Sequence, residues 1–413
     1  MPLDATSPAL DALLLGAALE MELSARDLQV AAKRYSIIPG HLSRQSSPLR
    51  NHMNDALVYA QGSRAIGATI VHGDSDDRFD LDAILEFSTP RGWSPGKILD
   101  YLEVSFNGFP DVRDIVRCTR CIQLQFAFMH LDVTPMDPAS APRAERVGDI
   151  YHSPEHGSDE RFSVNPYGFA EWFKSQVVMP SRRFQDQVNI MRSRMAIPDL
   201  IAKGTITADA EIDELPAPVS PIRDAPQVIA LKLMKRYLNL RYAKRNLKRP
   251  VSIYLSKIAV EVPPNQFGLC AQLEAFATDL EKRMAHAIEV GVRPEERNPA
   301  FFKENFNDRW PKDENDMKVF RADLTHLRKE LARARQTDFV EIQDIFDRLF
   351  GERITKNAVR SYLDGLSGVA TSASYERGKG FVAAPGLLAA AAAPTVQVSK
   401  APAHRFHAGL LKK

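Results

Sequence analysis

The apolar positions change period along the chain, and each change marks a different kind of element. Between residues 8 and 35, Leu10, Leu13, Leu14, Ala17 and Met21 recur at helical spacing, and Leu23, Leu28 and Ala32 extend the series. This predicts one or two packed helices, ended by Pro39-Gly40. The period then shortens. Residues 56–60 (ALVYA) read as a strand running into Gly62-Ser63, and residues 79–87 (FDLDAILEF) as another after a polar loop at 72–78. Residues 121–135 (CIQLQFAFMHLDVTP) predict one long apolar strand. Helical spacing returns at 228–247, where Ile229, Leu233, Tyr237 and Leu240 share a face. After Pro250, residues 251–260 read as a helix capped near Ser252, and amphipathic helices follow at 272–290, 317–335, 338–350 and 357–366.

The intervening segments read differently. Residues 136–165 read as a connection, 165–173 (NPYGFAEWF) as a turn and short aromatic helix, and 182–195 as a basic helix. Residues 206–221 are acidic and proline-rich, a loop between lobes, and 298–311 (NPAFFKENFNDRWP) read as a surface loop. From residue 367 onward Ser, Ala, Gly and Pro dominate, a composition with little capacity to build a core.

Polar residues then stand where the pattern calls for apolar ones. Asp80 and Asp82 share a face of their strand, because side chains alternate with period two. Side-by-side carboxylates repel each other and are costly near a core. A hard divalent cation removes both problems, and Mg²⁺ is held by a few carboxylates together with substrate phosphates. Asp132 lies in the next apolar run and becomes a third ligand if that strand is a neighbour. Three such carboxylates satisfy the requirement of two-metal phosphoryl transfer, with Asp132 placed to assist deprotonation of the attacking hydroxyl. Gly62 permits a tight turn, and Ser63 offers a hydroxyl and an N–H to a phosphate. His130 shares the Asp132 face and reads as structural. Asp74, Asp76 and Asp77 read as loop acids.

Composition changes the picture only locally. The 413 residues carry a formal charge of +2, which names no partner, and 44% are apolar, enough for a sizeable core. Residues 225–259, however, hold nine Lys or Arg and no Asp or Glu. A helix N-terminus, a hydroxyl and a nearby lysine make a polyphosphate cradle, so Lys235 and Ser252 are candidates for a donor triphosphate. A groove for nucleic-acid backbone, including an activating RNA, is a second reading of this basic stretch. Three cysteines, Cys118, Cys121 and Cys270, do not make a disulfide framework and fit a reducing cytosol. Cys118 and Cys121 form one C-x-x-C without a second pair, which reads as two thiols in a strand rather than a zinc site. No stretch is apolar for long enough to span a bilayer, and no signal peptide is evident, so the expected location is cytoplasmic.

In order, QGS-x-x-x-GAT, FDLDAILEF, MHLDVTPM, NPYGFAEWF and LKLMKRY with a following Ser252 resemble the bacterial cGAS/DncV-like nucleotidyltransferases of CBASS anti-phage systems. The likeness runs from about residue 50 to 365. It implies an α/β (α+β) bilobed fold, with a polymerase-β-like core on a mixed sheet and a helical C-terminal lobe. The corresponding divisions are an N-terminal helical segment at 1–55, the core at 56–215, the helical lobe at 216–366 and a mobile tail at 367–413. The resemblance further implies synthesis of a cyclic di- or trinucleotide from NTPs, ATP among them, with Mg²⁺ or Mn²⁺ and with CBASS accessory proteins as partners. Gly62 and Ser63 match its Gly-Ser motif, Asp80, Asp82 and Asp132 its metal triad, and Lys235 and Ser252 its donor-triphosphate residues. Tyr254 corresponds to a base-stacking ring. Ala68 stands where a threonine commonly follows the second glycine, and Thr69 comes next. The competing readings are a linear nucleotidyltransferase, of the oligoadenylate-synthase or RNA-tailing kind, and a nucleic-acid-binding protein with a vestigial site.

Overall fold

The computed structural model describes residues 8–71, 78–139, 143–194, 211–212, 221–367, 374–376 and 380–382. The loop acids Asp74, Asp76 and Asp77, most of the 206–221 loop and nearly all of the tail lie outside these residues.

In chain order the elements begin with α1 (Pro8–Glu20), α2 (Ala25–Ser36), α3 (Ile38–Leu42), β1 (Leu57–Gln61), α4 (Gly62–Ala65), β2 (Phe79–Glu86) and α5 (Pro95–Ser105). Five strands interrupted by short turns follow: β3 (Asp114–Arg117), β4 (Ile122–Gln125), β5 (Met129–Pro138), β6 (Gly148–His152) and β7 (Glu160–Val164). Next come α6 (Pro166–Gln176), α7 (Arg182–Arg194), β8 (Glu211–Ile212), α8 (Pro226–Tyr242), α9 (Ser252–Glu261) and α10 (Leu269–Val290). The hairpin β9 (Arg297–Asn298) and β10 (Phe301–Asn305) precedes α11 (Glu314–Ala334), α12 (Phe339–Phe350) and α13 (Glu352–Ser367).

Local chemistry explains many of the helix starts. Ser94, Asn165, Asp313 and Asp338 each accept a hydrogen bond from a backbone N–H three residues on, and Pro95 and Pro166 occupy the first helical turn.

The mixed sheet runs β3-β4-β5-β2-β1-β8, with β6 and β7 continuing from the far end of β5. β2 and β5 are parallel, and β1 is antiparallel to β2. Burial along β2 explains its sequence. Phe79 and Leu81 are buried while Asp80 and Asp82 are partly exposed; from Ala83 to Glu86 both faces are covered. One end of the central strands therefore opens toward solvent, and the acidic residues stand there.

Pro39-Gly40 does not end the helical region, since both residues lie within α3, where the proline occupies the first turn; three further segments differ from the sequence expectation. Residues 121–135 form two antiparallel strands, β4 and β5, joined by a turn in which the Phe126 N–H bonds to the Met129 carbonyl at 2.9 Å. The turn contains neither Gly nor Pro, so alternation alone does not reveal it. Residues 136–165 hold the β6–β7 hairpin. Residues 298–311 are not a surface loop, since Asn298, Phe306, Asn307 and Trp310 are buried. Phe306 packs edge-on to Phe169 of α6, at 5.0 Å between ring centres. Glu304 accepts hydrogen bonds from the Asn165 N–H (2.9 Å) and from Asn298 Nδ2 (2.7 Å).

The helices pack on one another around α8, which is buried on nearly every side. The helix α1 lies against α13, α8, α10 and α7. Just beyond it, Glu22 sits among Arg192, Arg223 and Lys232, with Lys232 Nζ at 2.8 Å, and Asp224 pairs with Arg192 at 2.6 Å. Burial opposes ionisation of Glu22, but the three cations outweigh it and hold its carboxyl down at about 2. Among the described residues no helix is long and apolar enough to cross a membrane.

Candidate active site

The parallel register of β2 and β5 sets Asp82 opposite Asp132 and Asp80 opposite His130. All four side chains are partly exposed on one face of the sheet, so the three expected carboxylates line the same face. Their surroundings contain two residues for which the sequence suggested no active part. His130 Nδ1 lies 3.3 Å from Asp80 Oδ1, so His130 has an identifiable partner, contrary to the structural reading. Gln123 on β4 is the register partner of Asp132 and donates to its Oδ1 at 3.0 Å, while Gln125 donates to Gln123 at 2.8 Å. The signal for Gln123 was its alternation with apolar neighbours. It became readable only once β4 was known to turn back on β5.

Crowding like charges has an electrostatic consequence. Burial, then Asp132 and Asp80, push the Asp82 carboxyl up to about 7, against the pull of Lys235. Burial raises Asp132 to about 6, with Asp80 adding to the rise and the Gln123 hydrogen bond and His130 restraining it.

Gly62 begins the turn beside these acids, with φ +61°. A methyl group built on it would come within 2.9 Å of the Asp82 carboxyl carbon and closer still to one of its oxygens. The residue is glycine for two reasons, backbone sign and space. The loop then folds on itself. The Ser63 carbonyl accepts from the Ala68 N–H at 2.8 Å, and the Ser63 hydroxyl lies 3.3 Å from that of Thr69. Thr69 thus supplies the polar neighbour that Ala68 lacks. Gly67, at φ +70°, lets Arg223 approach, since a Cβ there would lie 2.9 Å from that of Arg223.

The helical lobe supplies the facing wall. Lys235 on α8 is 5% exposed, and its ammonium donates to the Ala68 carbonyl at 2.9 Å. Burial, then Arg249, lower it to about 8, while Asp82 and Asp80 pull it back up. Ser252 is the first residue of α9 and partly exposed; Val251, not Ser252, occupies the cap position. The helix α6 packs on both α9 and α4, so it spaces the Ser252 wall from the Gly62–Ser63 wall. Arg249 belongs to the basic stretch at 225–259 but was not singled out from it. Its guanidinium donates to Asn239, one helical turn beyond Lys235 on α8. Burial lowers its pKa, and the charge of Asp80 opposes that shift, so it lies within electrostatic reach of the acids.

Tyr254 does not take the stacking position that the resemblance implies. It is fully buried against Trp310, with ring centres 5.9 Å apart, and its hydroxyl has no hydrogen-bond partner among the described residues. At two residues past Ser252 on a helix, its side chain turns inward to the helical core.

Whether these residues suit a divalent cation follows from the donor set. Among the described residues, no three His, Cys, Asp or Glu side chains already close on one point. Three adjacent carboxylates, two held part-protonated near neutral pH by burial and mutual repulsion, do fit a hard cation. Such an ion would relieve the repulsion, and phosphate oxygens and water would complete its shell.

No protein-family model matches the chain. It is 31% identical over 401 residues to the cyclic dinucleotide synthase CdnG of Bradyrhizobium diazoefficiens, covering 94% of this chain and 93% of that one. The structure of the Bradyrhizobium diazoefficiens CD-NTase CdnG in complex with GTP superposes with a TM-score of 0.72 at 29% identity, over 86% of this chain and 99% of that one. The structure of Escherichia coli MS115-1 CdnC with ATP is similar in fold, with a TM-score of 0.54 at 14% identity over 83% of this chain and 97% of that one.

Proposed function

The chain belongs to the cGAS/DncV-like nucleotidyltransferases, and from that premise we propose that it builds a cyclic dinucleotide from NTPs, GTP among them, by two-metal phosphoryl transfer. The observation that carries the reading is the in-register pair Asp82 and Asp132, with Asp80 alongside, next to the Gly62–Ser63 turn. GTP is named because the similar CdnG was solved with GTP. ATP is the expected second substrate.

Asp80, Asp82 and Asp132 would hold Mg²⁺, with Mn²⁺ as a substitute. When bound, the metal supplies charge neutralisation on the phosphates and favours the alkoxide form of the attacking hydroxyl. The remaining chemistry belongs to the chain. The Gly62–Ser63 turn presents N–H and hydroxyl donors to the donor triphosphate. Lys235, Ser252 and Arg249 supply the opposite wall. A ribose hydroxyl of the acceptor attacks the α-phosphorus, a new P–O bond forms, and the bond to the β-phosphate breaks to release pyrophosphate. Asp132, oriented by Gln123, accepts the hydroxyl proton. His130 steadies Asp80. A second transfer closes the ring. The biological reading is anti-phage signalling within a CBASS operon, together with its accessory proteins.

The test is incubation of purified protein with labelled NTPs, singly and mixed, with Mg²⁺ or Mn²⁺, followed by phosphatase and mass analysis. A cyclic product survives phosphatase, whereas a linear one loses its terminal phosphates. Asp80→Asn/Asp82→Asn is expected to lower turnover by at least about a thousandfold with the fold intact. Undiminished turnover in that variant refutes the site, and a phosphatase-sensitive product refutes ring closure.

A further inference from the structure

The C-x-x-C closes the β3–β4 hairpin. Arg117 and Ile122 are register partners, so Cys118 and Cys121 form the next rung, with Thr119 and Arg120 as the two-residue loop. The Cys118 N–H bonds to the Cys121 carbonyl at 2.9 Å. Cross-strand residues paired in this way have Cα atoms about 5.5 Å apart, inside the roughly 4.4–6.8 Å window of disulfides. Both thiols are free and partly exposed.

The hairpin end is also wired to the candidate site. Gln123, which orients Asp132, is on β4, two residues after Cys121, which immediately precedes that strand. Arg120, between the cysteines, donates to His152 Nδ1 at 3.2 Å and to Asp308 of the segment after β10 at 2.5 Å. A change in this turn therefore reaches both Asp132 and a contact between the sheet and the segment that leads into α11.

We propose that Cys118 and Cys121 are a reversible oxidation site, whose closure to an intramolecular disulfide slows nucleotide transfer. The balanced step takes a peroxide as oxidant. One cysteine sulfur attacks the peroxide, forms an S–O bond and releases water, giving a sulfenic acid. The second sulfur displaces that hydroxyl as another water, each thiol giving up one hydrogen, and the S–S bond forms. Drawing two non-bonded sulfurs to a covalent distance of about 2.05 Å shifts the start of β4, and with it Gln123. A dithiol reductant reverses the step. Cys270 is buried in the helical lobe and serves as an internal control.

The effect on transfer rests on the function proposed above, but formation of the bond does not. The experiment treats reduced full-length protein with hydrogen peroxide, digests it with trypsin without reduction, and assays turnover in parallel. Cleavage after Arg120 separates the two cysteines, so a disulfide appears as residues 118–120 linked to residues 121–143. The expected result is this linked peptide, a several-fold fall in turnover, recovery with dithiothreitol, and turnover of Cys118→Ser that resists the same treatment. Absence of the linked peptide overturns the site. A linked peptide with unchanged turnover, or equal loss in Cys118→Ser, overturns its control of transfer. A linked peptide in a protein that makes no nucleotide product leaves the oxidation site standing and refutes the proposed function instead.

Discussion

Gly62 and Asp82 are in direct apposition: the glycine Cα faces the carboxylate with no room for a Cβ between them, although they lie on separate elements, α4 and β2. The phosphate-facing turn and the acidic strand are thus one packed unit. This contact explains why a Gly-Ser turn, common in any protein, acquires meaning here.

Gly62→Ala should accordingly damage both stability and turnover. The left-handed backbone and the collision with Asp82 together should cost about 1–3 kcal/mol. Displacement of the carboxylate should lower turnover at least about tenfold. Thermal unfolding and NTP turnover measured on one preparation check both. Ser63→Ala, which leaves the backbone alone, should unfold within about 2 °C of the parent.

Metal dependence should carry a pH signature. Asp82 and Asp132 have folded-state pKa values near 7 and 6, above the ordinary 3.8. The folded chain therefore binds more protons than the unfolded chain between about pH 4 and 7, and these two groups lower metal-free stability as pH rises through that window. A divalent cation competes with those protons. The Mg²⁺-induced rise in Tm should be larger at pH 8 than at pH 5.5, and Asp82→Asn should flatten the difference. Equal shifts at both pH values in the parent would contradict the assignment.

Arg249→Gln removes a cation within electrostatic reach of the acidic site and leaves a shorter, neutral polar side chain. Charge-assisted hydrogen bonds to phosphate contribute about 1.5–3 kcal/mol, so kcat/KM for NTP should fall roughly ten- to a hundredfold. Arg249→Lys should recover part of this, because an ammonium keeps the charge and loses the fork. Steady-state kinetics on the three proteins, with inorganic tripolyphosphate as competitor, measures it.

Glu22→Gln should be among the most destabilising single changes, at about 3–5 kcal/mol, because it leaves Arg192, Arg223 and Lys232 with Asp224 as the remaining carboxylate of the cluster. The Glu22 pKa is depressed from 4.5 to about 2. Its contribution is therefore fully present above about pH 4.5 and is lost as pH falls toward 2. Urea unfolding of parent and variant should show a gap that narrows below pH 4.5.

Much of the site was legible because its chemistry is local. The period-two rule put Asp80 and Asp82 on one face, and the Gly62-Ser63 turn gained meaning from those acids and from Asp132 further along. Lys235 was one of several basic residues on its helix and was singled out as a partner for a triphosphate together with Ser252. Tyr254 was misplaced because helical phase, not distance from Ser252, decides which way a side chain faces. His130 was undervalued because its partner, Asp80, is fifty residues away and is reached only through strand pairing. The 298–311 segment read as surface because its polar residues satisfy one another inside, as Asn298 and Glu304 do.

By itself, the sequence determined the long helices, the strands that flank Gly62-Ser63, and the identity of the acids, since periodicity and side-chain chemistry are properties of neighbours along the chain. Only the tertiary structure decided the register that sets Asp132 beside Asp82, the fold-back that brings Gln123 to Asp132, and the approach of Lys235 to the loop after Ser63. Those are long-range pairings. They are set by which apolar faces bury against each other, and no local pattern records that choice.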